Sequence, residues 1–161
     1  MKVNLLLNNP GDIRSGYINI DGAASVEECQ QDGRVSGRLD NLEHTIDANE
    51  LDELVAMGIL DHFPMKQADE VLDHWLSRLK HGGILTVSVT DLRQVARELL
   101  DNTADIADIN KLLYGEQEQP WQYKYCVFTT SILTNILRAK GYEIVRSVST
   151  SKKAVVTVRR P

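Results

Sequence analysis

The sequence predicts an α/β fold with a mainly parallel sheet covered by helices and an antiparallel hairpin at its end. Three observations predict it. From Glu53 to Leu100 the chain alternates strand, helix, strand, helix, the order that builds parallel sheets through right-handed crossovers. The strand-like runs are short, apolar and bounded by turn residues, as buried strands are. Near the end, Tyr142–Val148 and Ala154–Val158 are joined only by Ser149–Lys153, a polar connection that suits an antiparallel return.

The elements follow in order. Lys2–Leu7 reads as a buried strand that stops at the turn cluster Asn8–Asp12, and Tyr17–Ile20 as a second strand ending on Asp21. So little chain joins these two strands that a full crossover helix does not fit; the helix is either degenerate or replaced by an unusual short connection. Ser25–Gln31 can form a helix and Val35–Leu39 a brief strand, while Glu53–Met57 reads as a core strand. From Pro64, the residues Met65, Ala68, Leu72, Trp75, Leu76 and Leu79 recur at helical spacing, with Pro64 in the first turn and Gly82 past the end. After the Gly82-Gly83 break, Ile84–Val89 is rich in β-branched residues and predicts a strand. Thr90 or Asp91 then caps a helix with Leu92, Val95, Ala96, Leu99 and Leu100 expected inward. Ile106, Ile109 and Leu113 mark a short helix, followed by a polar loop from Tyr114 to Trp121. The last helix starts near Thr129–Ser131, carries Ile132, Leu133, Ile136 and Leu137 inward, and stops at Gly141.

With 161 residues and 42% hydrophobic content, the chain has the size of one domain, residues 1–161, with a continuous core. No apolar run approaches a membrane span, and no leader is evident, so a cytoplasmic protein is expected. Cys29 and Cys126 are far apart, and His44 and His74 lack partners at ligand spacing, so neither a disulfide framework nor a metal site is expected. A net charge of −5 and a pI near 5.3 argue against nucleic acid as a partner. Arg159-Arg160 is read as a solvated tail, and Asp69, Glu70 and Asp73 as a solvated helix face.

Open α/β sheets bind ligands beyond the carboxyl ends of their strands. The residues leaving those ends are Asn8–Asp12, Asp21-Gly22, the Asp40-Asn41 neighbourhood and Met57–His62. A glycine loop allows close backbone approach, and an acid at the next strand's end can accept hydrogen bonds from a ribose diol. Together these residue types point to a nucleoside-bearing ligand. Trp121 and Tyr123, in the polar loop, are candidates for a lid or an interface.

The ordered segments VNLLLNNPGD, GYINID, LDNLE, ELDELVAMGILDHFP, WLSRLKHGGILTVSVTDL, LYG and FTTSILTNILRAKGY resemble the small class I S-adenosylmethionine (SAM) dependent methyltransferases often encoded near surface-polysaccharide genes. That family runs from a GCG-type loop through GYINVD, LEHF and LKPGG to PDL, and the resemblance covers nearly the whole chain. It implies a Rossmann-like methyltransferase fold, SAM as cofactor and a small-molecule or saccharide acceptor. It places Asn9, Pro10 and Gly11 beneath the methionine part of SAM, and Asp21, followed by Gly22, at the ribose. Asp40, Asn41 and Leu42 would border the adenine, Met57 and Gly58 the sulfonium, and His62 would face the acceptor. The chain departs from the family where Asn9-Pro10-Gly11 replaces the two-glycine loop, and Pro10 supplies no N–H. Asp61 replaces a glutamate, His81 and Thr90 replace prolines, and Lys124 stands where a histidine is common. The retained acids favour an active methyltransferase; the altered loop favours a catalytically silent domain that keeps the fold to bind a partner. A homodimer or a larger protein partner is one way to complete the acceptor site.

Overall fold

The computed structural model describes residues 1–161. Its strands are β1 (Lys2–Leu6), β2 (Ile18–Asp21), β3 (Val35–Ser36), β4 (Leu51–Met57), β5 (Leu79–Thr90), β6 (Glu143–Thr150) and β7 (Lys153–Arg159). Its helices are α1 (Val26–Asp32), α2 (Met65–Arg78), α3 (Leu92–Leu100), α4 (Ile106–Tyr114) and α5 (Thr130–Ala139). The strands form one seven-stranded sheet in the order β3-β2-β1-β4-β5-β7-β6. All neighbouring pairs from β3 to β5 are parallel, and β7 runs antiparallel between β5 and β6. The α/β class, the parallel majority and the terminal hairpin agree with the sequence reading. No helix is long and apolar enough to cross a membrane.

Alternation along the strands sends Val3, Leu5, Leu54, Ala56, Leu85, Val87 and Val156 to one face, where they meet Leu72 and Trp75 of α2 and Leu133 and Leu137 of α5 in one core. Each valine or leucine among them contributes about 1.5–3 kcal/mol when fully buried. Trp75 is wholly buried, and its indole N–H is satisfied by the Leu39 carbonyl at 2.7 Å, so α2 is tied to the β3–β4 connection by a polar bond inside an apolar contact.

The opposite face is polar where β1 and β2 meet. The connection between them, Leu7–Tyr17, contains a single 3-10 turn at Pro10–Asp12 and no α-helix. Of the two readings the sequence left open, the short connection is the one observed. Polar side chains hold it down. Asn4 Nδ2 donates to the Asp12 carbonyl and to Asn19 Oδ1, both at 2.9 Å. Asn19 Oδ1 also accepts the Arg14 N–H at 2.9 Å, and its Nδ2 donates to the carbonyls of Arg14 and Tyr17 at 3.0 and 3.1 Å. Asn19 thereby uses its whole donor and acceptor capacity inside the fold.

Four local expectations are corrected. Gly82-Gly83 is not a break between helix and strand: β5 begins at Leu79, directly after α2. The glycines lie in a bulge where pairing with β4 jumps from Leu51↔Leu79 to Glu53↔Ile84. Gly82 has φ +77°, and a Cβ on Gly83 would stand 2.6 Å from the Leu51 carbonyl oxygen, so no side chain fits at the second position. In α3 only Val95 is buried; Ala96, Leu99 and Leu100 face solvent, so the apolar face of the second half of that helix is left uncovered. In α5 Ile132 is exposed and Thr134 is buried instead, its hydroxyl satisfied by the Thr130 carbonyl and by Ser147, both at 2.7 Å. The hairpin connection is only two residues long, Ser151-Lys152, both with positive φ (47° and 63°), the conformation that matches strand twist in a two-residue turn.

Asn19→Ala should lower unfolding free energy by about 1–3 kcal/mol, because it leaves buried donors and acceptors unpaired. Urea denaturation measures the loss, and hydrogen exchange at the Arg14 amide should quicken. An unchanged Arg14 amide would mean that the side chain does not hold the loop.

Candidate functional site

The carboxyl ends of β1, β2 and β4 converge where the strand order reverses. At their centre is Asp21, whose side chain is wholly buried. Its Oδ1 accepts the N–H groups of Asn8, Ala23 and Ala24, each at 2.9 Å, and its Oδ2 accepts from Arg34 Nη1 at 2.6 Å. Burial opposes the charge, but the amides of Ala24, Asn8 and Ala23 with the Arg34 guanidinium hold the carboxyl below its usual pKa. Arg34 is buried too, and its Nη2 pairs with Asp32 at 2.8 Å. Asn8 adopts φ +48°, a left-handed turn that asparagine tolerates and that here accompanies its amide's bond to the carboxylate.

Two adjoining cavities open beside this hub. The larger, 470 Å³, is bordered by Asn9, Met57, Gly58, His62, Trp121 and Lys124, among others. The smaller, 260 Å³, is bordered by Gly22, Leu39, Asp40, His62, Phe63 and Trp121. Leu7, His62 and Trp121 border both, so the two form one cleft with a waist. Asp40 is partly open to the smaller cavity and meets Arg38 through two hydrogen bonds of 3.0 and 2.8 Å. That partner is itself exposed, so the pair is weak and exchangeable.

The larger cavity has a charged wall. Lys124 Nζ lies 3.2 Å from Asp61 Oδ2 and donates to Thr90 Oγ1 and the Leu112 carbonyl at 3.0 and 3.1 Å. Asp61 is buried, and its Oδ1 has no hydrogen-bond partner. His62 Nδ1 is 2.9 Å from the Tyr123 carbonyl; a carbonyl can only accept, so Nδ1 carries a proton. Burial holds the His62 imidazole below its usual pKa, against the Asp61 carboxylate and the Tyr123 carbonyl, which act the other way.

Of the residues singled out in the sequence, Asn9, Gly22, Asp40, Met57, Gly58 and His62 border the cleft. Pro10 and Gly11 form the exposed turn beyond Asn9, and Asn9 Nδ2 is held by Asp12 at 2.7 Å. Leu42 is buried in the core with its N–H donated to His74 Nε2 at 2.8 Å, while Asn41 caps the Glu43 amide at 2.9 Å. Asp21 has no surface open to the cleft. Sequence reading missed Arg34, whose pairing with Asp21 spans 13 positions; a lone basic residue leading into a strand beside the acid's own strand was its only signal.

No protein-family model and no curated protein matches the sequence. Solved structures do. A Burkholderia thailandensis 1,6-didemethyltoxoflavin-N1-methyltransferase, solved with bound 1,6-didemethyltoxoflavin and S-adenosylhomocysteine, is 16% identical with a TM-score of 0.63 over 99% of this chain and 70% of its own. A SAM-dependent methyltransferase of Thermotoga maritima is 16% identical, with a TM-score of 0.66 over 99% of this chain and 82% of its own. An O-methyltransferase family 2 protein of Planctomyces limnophilus, in complex with apigenin, is 13% identical with a TM-score of 0.62. The fold is the class I methyltransferase fold. This chain spans only about half of the Planctomyces protein, 51%, while matching over 99% of its own length.

Arg34→Met should destabilise the protein by about 3–5 kcal/mol at pH 7, since it strands the buried Asp21 charge. The sign with pH follows from the lowered pKa. Asp21 contributes its stability above the unfolded carboxyl value, about 3.9, and loses it as pH falls through the lower folded value. The gap between wild type and variant, read from urea titrations, should therefore narrow in acid. A gap independent of pH would show that the pair is not ionic.

Proposed function

We propose that residues 1–161 form one SAM-dependent methyltransferase domain acting on a small-molecule or sugar acceptor. The cleft of two adjoining cavities at the β1/β4 reversal carries this reading, because open α/β sheets bind ligands at that point and because the solved neighbours of this fold include a methyltransferase holding S-adenosylhomocysteine. The residues present fit the donor with one exchange of role. The smaller cavity suits a nucleoside, with Leu39 and Phe63 as apolar walls and Asp40 as the acid that reaches it. Asp21, closed off by Asn8 and Arg34, holds the loop rather than the ribose.

When bound, SAM supplies an electrophilic methyl group on a sulfonium. The rest is the chain's own work. Gly58, with φ +68° and open space where a Cβ would stand, lets backbone approach the ligand in the larger cavity. Met57 and Trp121 narrow that space and exclude water. His62, whose Nδ1 is engaged by the Tyr123 carbonyl and whose pKa burial lowers, can take a proton on Nε2 from an acceptor hydroxyl or amine at the waist between the cavities. Two free cysteines and the lack of a membrane-length helix are compatible with a cytosolic location.

A second reading, a domain that binds a partner without turnover, draws on Pro10 and on the closed Asp21. Thermal denaturation with SAM and with S-adenosylhomocysteine decides between them: a ligand at about 100 times its Kd adds about 2.7 kcal/mol. No stabilisation by either at millimolar concentration would eliminate the methyltransferase reading. Asp40→Ala should weaken binding about tenfold or more at little cost in stability. If an acceptor is found, activity should rise with pH through an apparent pKa below the ordinary histidine value of about 6.5, and His62→Gln should flatten that rise.

A further inference from the structure

A second concave surface, 440 Å³ in volume, lies between α3, α5 and β6 and shares no bordering residue with the cleft. All of its bordering side chains are polar or charged. Arg93, Arg97 and Arg138 border it. The arginines that form ion pairs, Arg34, Arg38, Arg78 and Arg159, are elsewhere; of the three here, only Arg138 has a partner, the Asn135 Oδ1 at 3.1 Å. In a chain of net charge −5, three guanidinium groups gathered without carboxylate partners require a reason. The one acid at the groove, Asp91, is buried and leaves a surplus of two positive charges.

Asp91 also fixes the hydroxyl groups of the floor. Thr130 Oγ1 donates to its Oδ2 at 2.8 Å, and Ser149 Oγ donates to the same oxygen. Thr134 gives its single proton to the Thr130 carbonyl, so the 2.7 Å contact between Thr134 and Ser147 has Ser147 as donor. The protons of Thr130, Ser147 and Ser149 are thus committed inward, and the oxygens keep lone pairs for a ligand. The groove therefore offers forked cationic donors, suited to a phosphoryl group, beside hydroxyl acceptors suited to a ligand's own O–H groups.

We propose that this groove binds a small phosphorylated polyol, with Arg93, Arg97 and Arg138 on the phosphoryl group and Thr130, Ser147 and Ser149 accepting from its hydroxyls. The acidic surface elsewhere disfavours a nucleic-acid backbone as the source of the phosphate. The site is independent of the methyltransferase reading.

The test is an amide chemical-shift titration of the full chain with inorganic phosphate, glycerol phosphate and glycerol, each at constant ionic strength. Saturable shifts are expected at Arg93, Arg97, Thr130, Ser131 and Arg138, with glycerol phosphate binding tighter than phosphate and glycerol alone without effect. Arg97→Gln should weaken glycerol phosphate about tenfold, and Arg93→Gln with Arg138→Gln should abolish saturation while amides of the core stay in place. Ser147→Ala should remove the advantage of glycerol phosphate over phosphate. The proposal is overturned if sodium chloride gives the same shifts, if the arginine variants bind unchanged, if the shifts fall on Arg14 and Lys153 in the cleft, or if a short oligonucleotide binds more tightly than glycerol phosphate.

Discussion

A single buried carboxylate organises the functional end of the sheet. Asp21 has no contact with water, and an isolated charge in that position would be untenable. It is tolerated because three amides and a guanidinium surround it. Those four donors come from different places: the loop after β1, the entry to α1, and the residue before β3. None of these segments has a large apolar face of its own, and β3 is only two residues long. The charge therefore does for this edge of the sheet what apolar packing does for β4, β5 and β7. Removing either partner loses more than one hydrogen bond, because the other is left charged and dry.

The same economy explains the β1–β2 connection. A crossover helix would cover the sheet with apolar side chains; here Asn4 and Asn19 project from adjacent parallel strands at paired positions and bond the returning loop directly. Further along the same face, Lys2 pairs with Glu53 at 3.0 Å and Thr86 meets Thr157 at 3.2 Å across β5 and β7. That face is supported by cross-strand polar pairs, each modest, beside the buried Leu6 and Val55. The main core consequently lies on the α2 and α5 side, which is why Trp75, Leu133 and Leu137 are so completely enclosed.

The order of strands and helices was legible in the sequence because it is written in periodicity, and periodicity survives local irregularity. The failures fall where the local signal and the tertiary partner disagree. Gly82-Gly83 has the composition of a turn, yet the bulge it makes keeps β5 in register with β4. Leu99 and Leu100 continue a good amphipathic pattern in α3, but amphipathicity says which face could be buried and not whether anything is there to bury it. Asp21 is the more instructive case. An acid at the end of a second strand looks the same in sequence whether it waits for a ribose or is already saturated, since its partner Arg34 is identified only by the way α1 returns the chain to β3. Part of the cleft was readable, because Gly22, Asp40, Met57, Gly58 and His62 leave strand ends; its waist at Trp121 depends on how the loop after α4 folds back, which no local pattern encodes.

Asp21 and Asp40 illustrate how two similar carboxylates acquire opposite capacities from their surroundings. Asp21 is bound by partners that are themselves buried or belong to the backbone, so any ligand would have to displace the Asn8 loop before reaching it. Asp40 is held by Arg38, whose side chain is 71% exposed; water competes for both partners, and the net worth of such a pair is about 0–1 kcal/mol. A ligand donor can take the place of Arg38 at small expense, and the guanidinium simply returns to solvent. Asp40 borders the smaller cavity together with Leu39 and Phe63. The acid that stabilises the architecture and the acid that is open to the smaller cavity are therefore different residues.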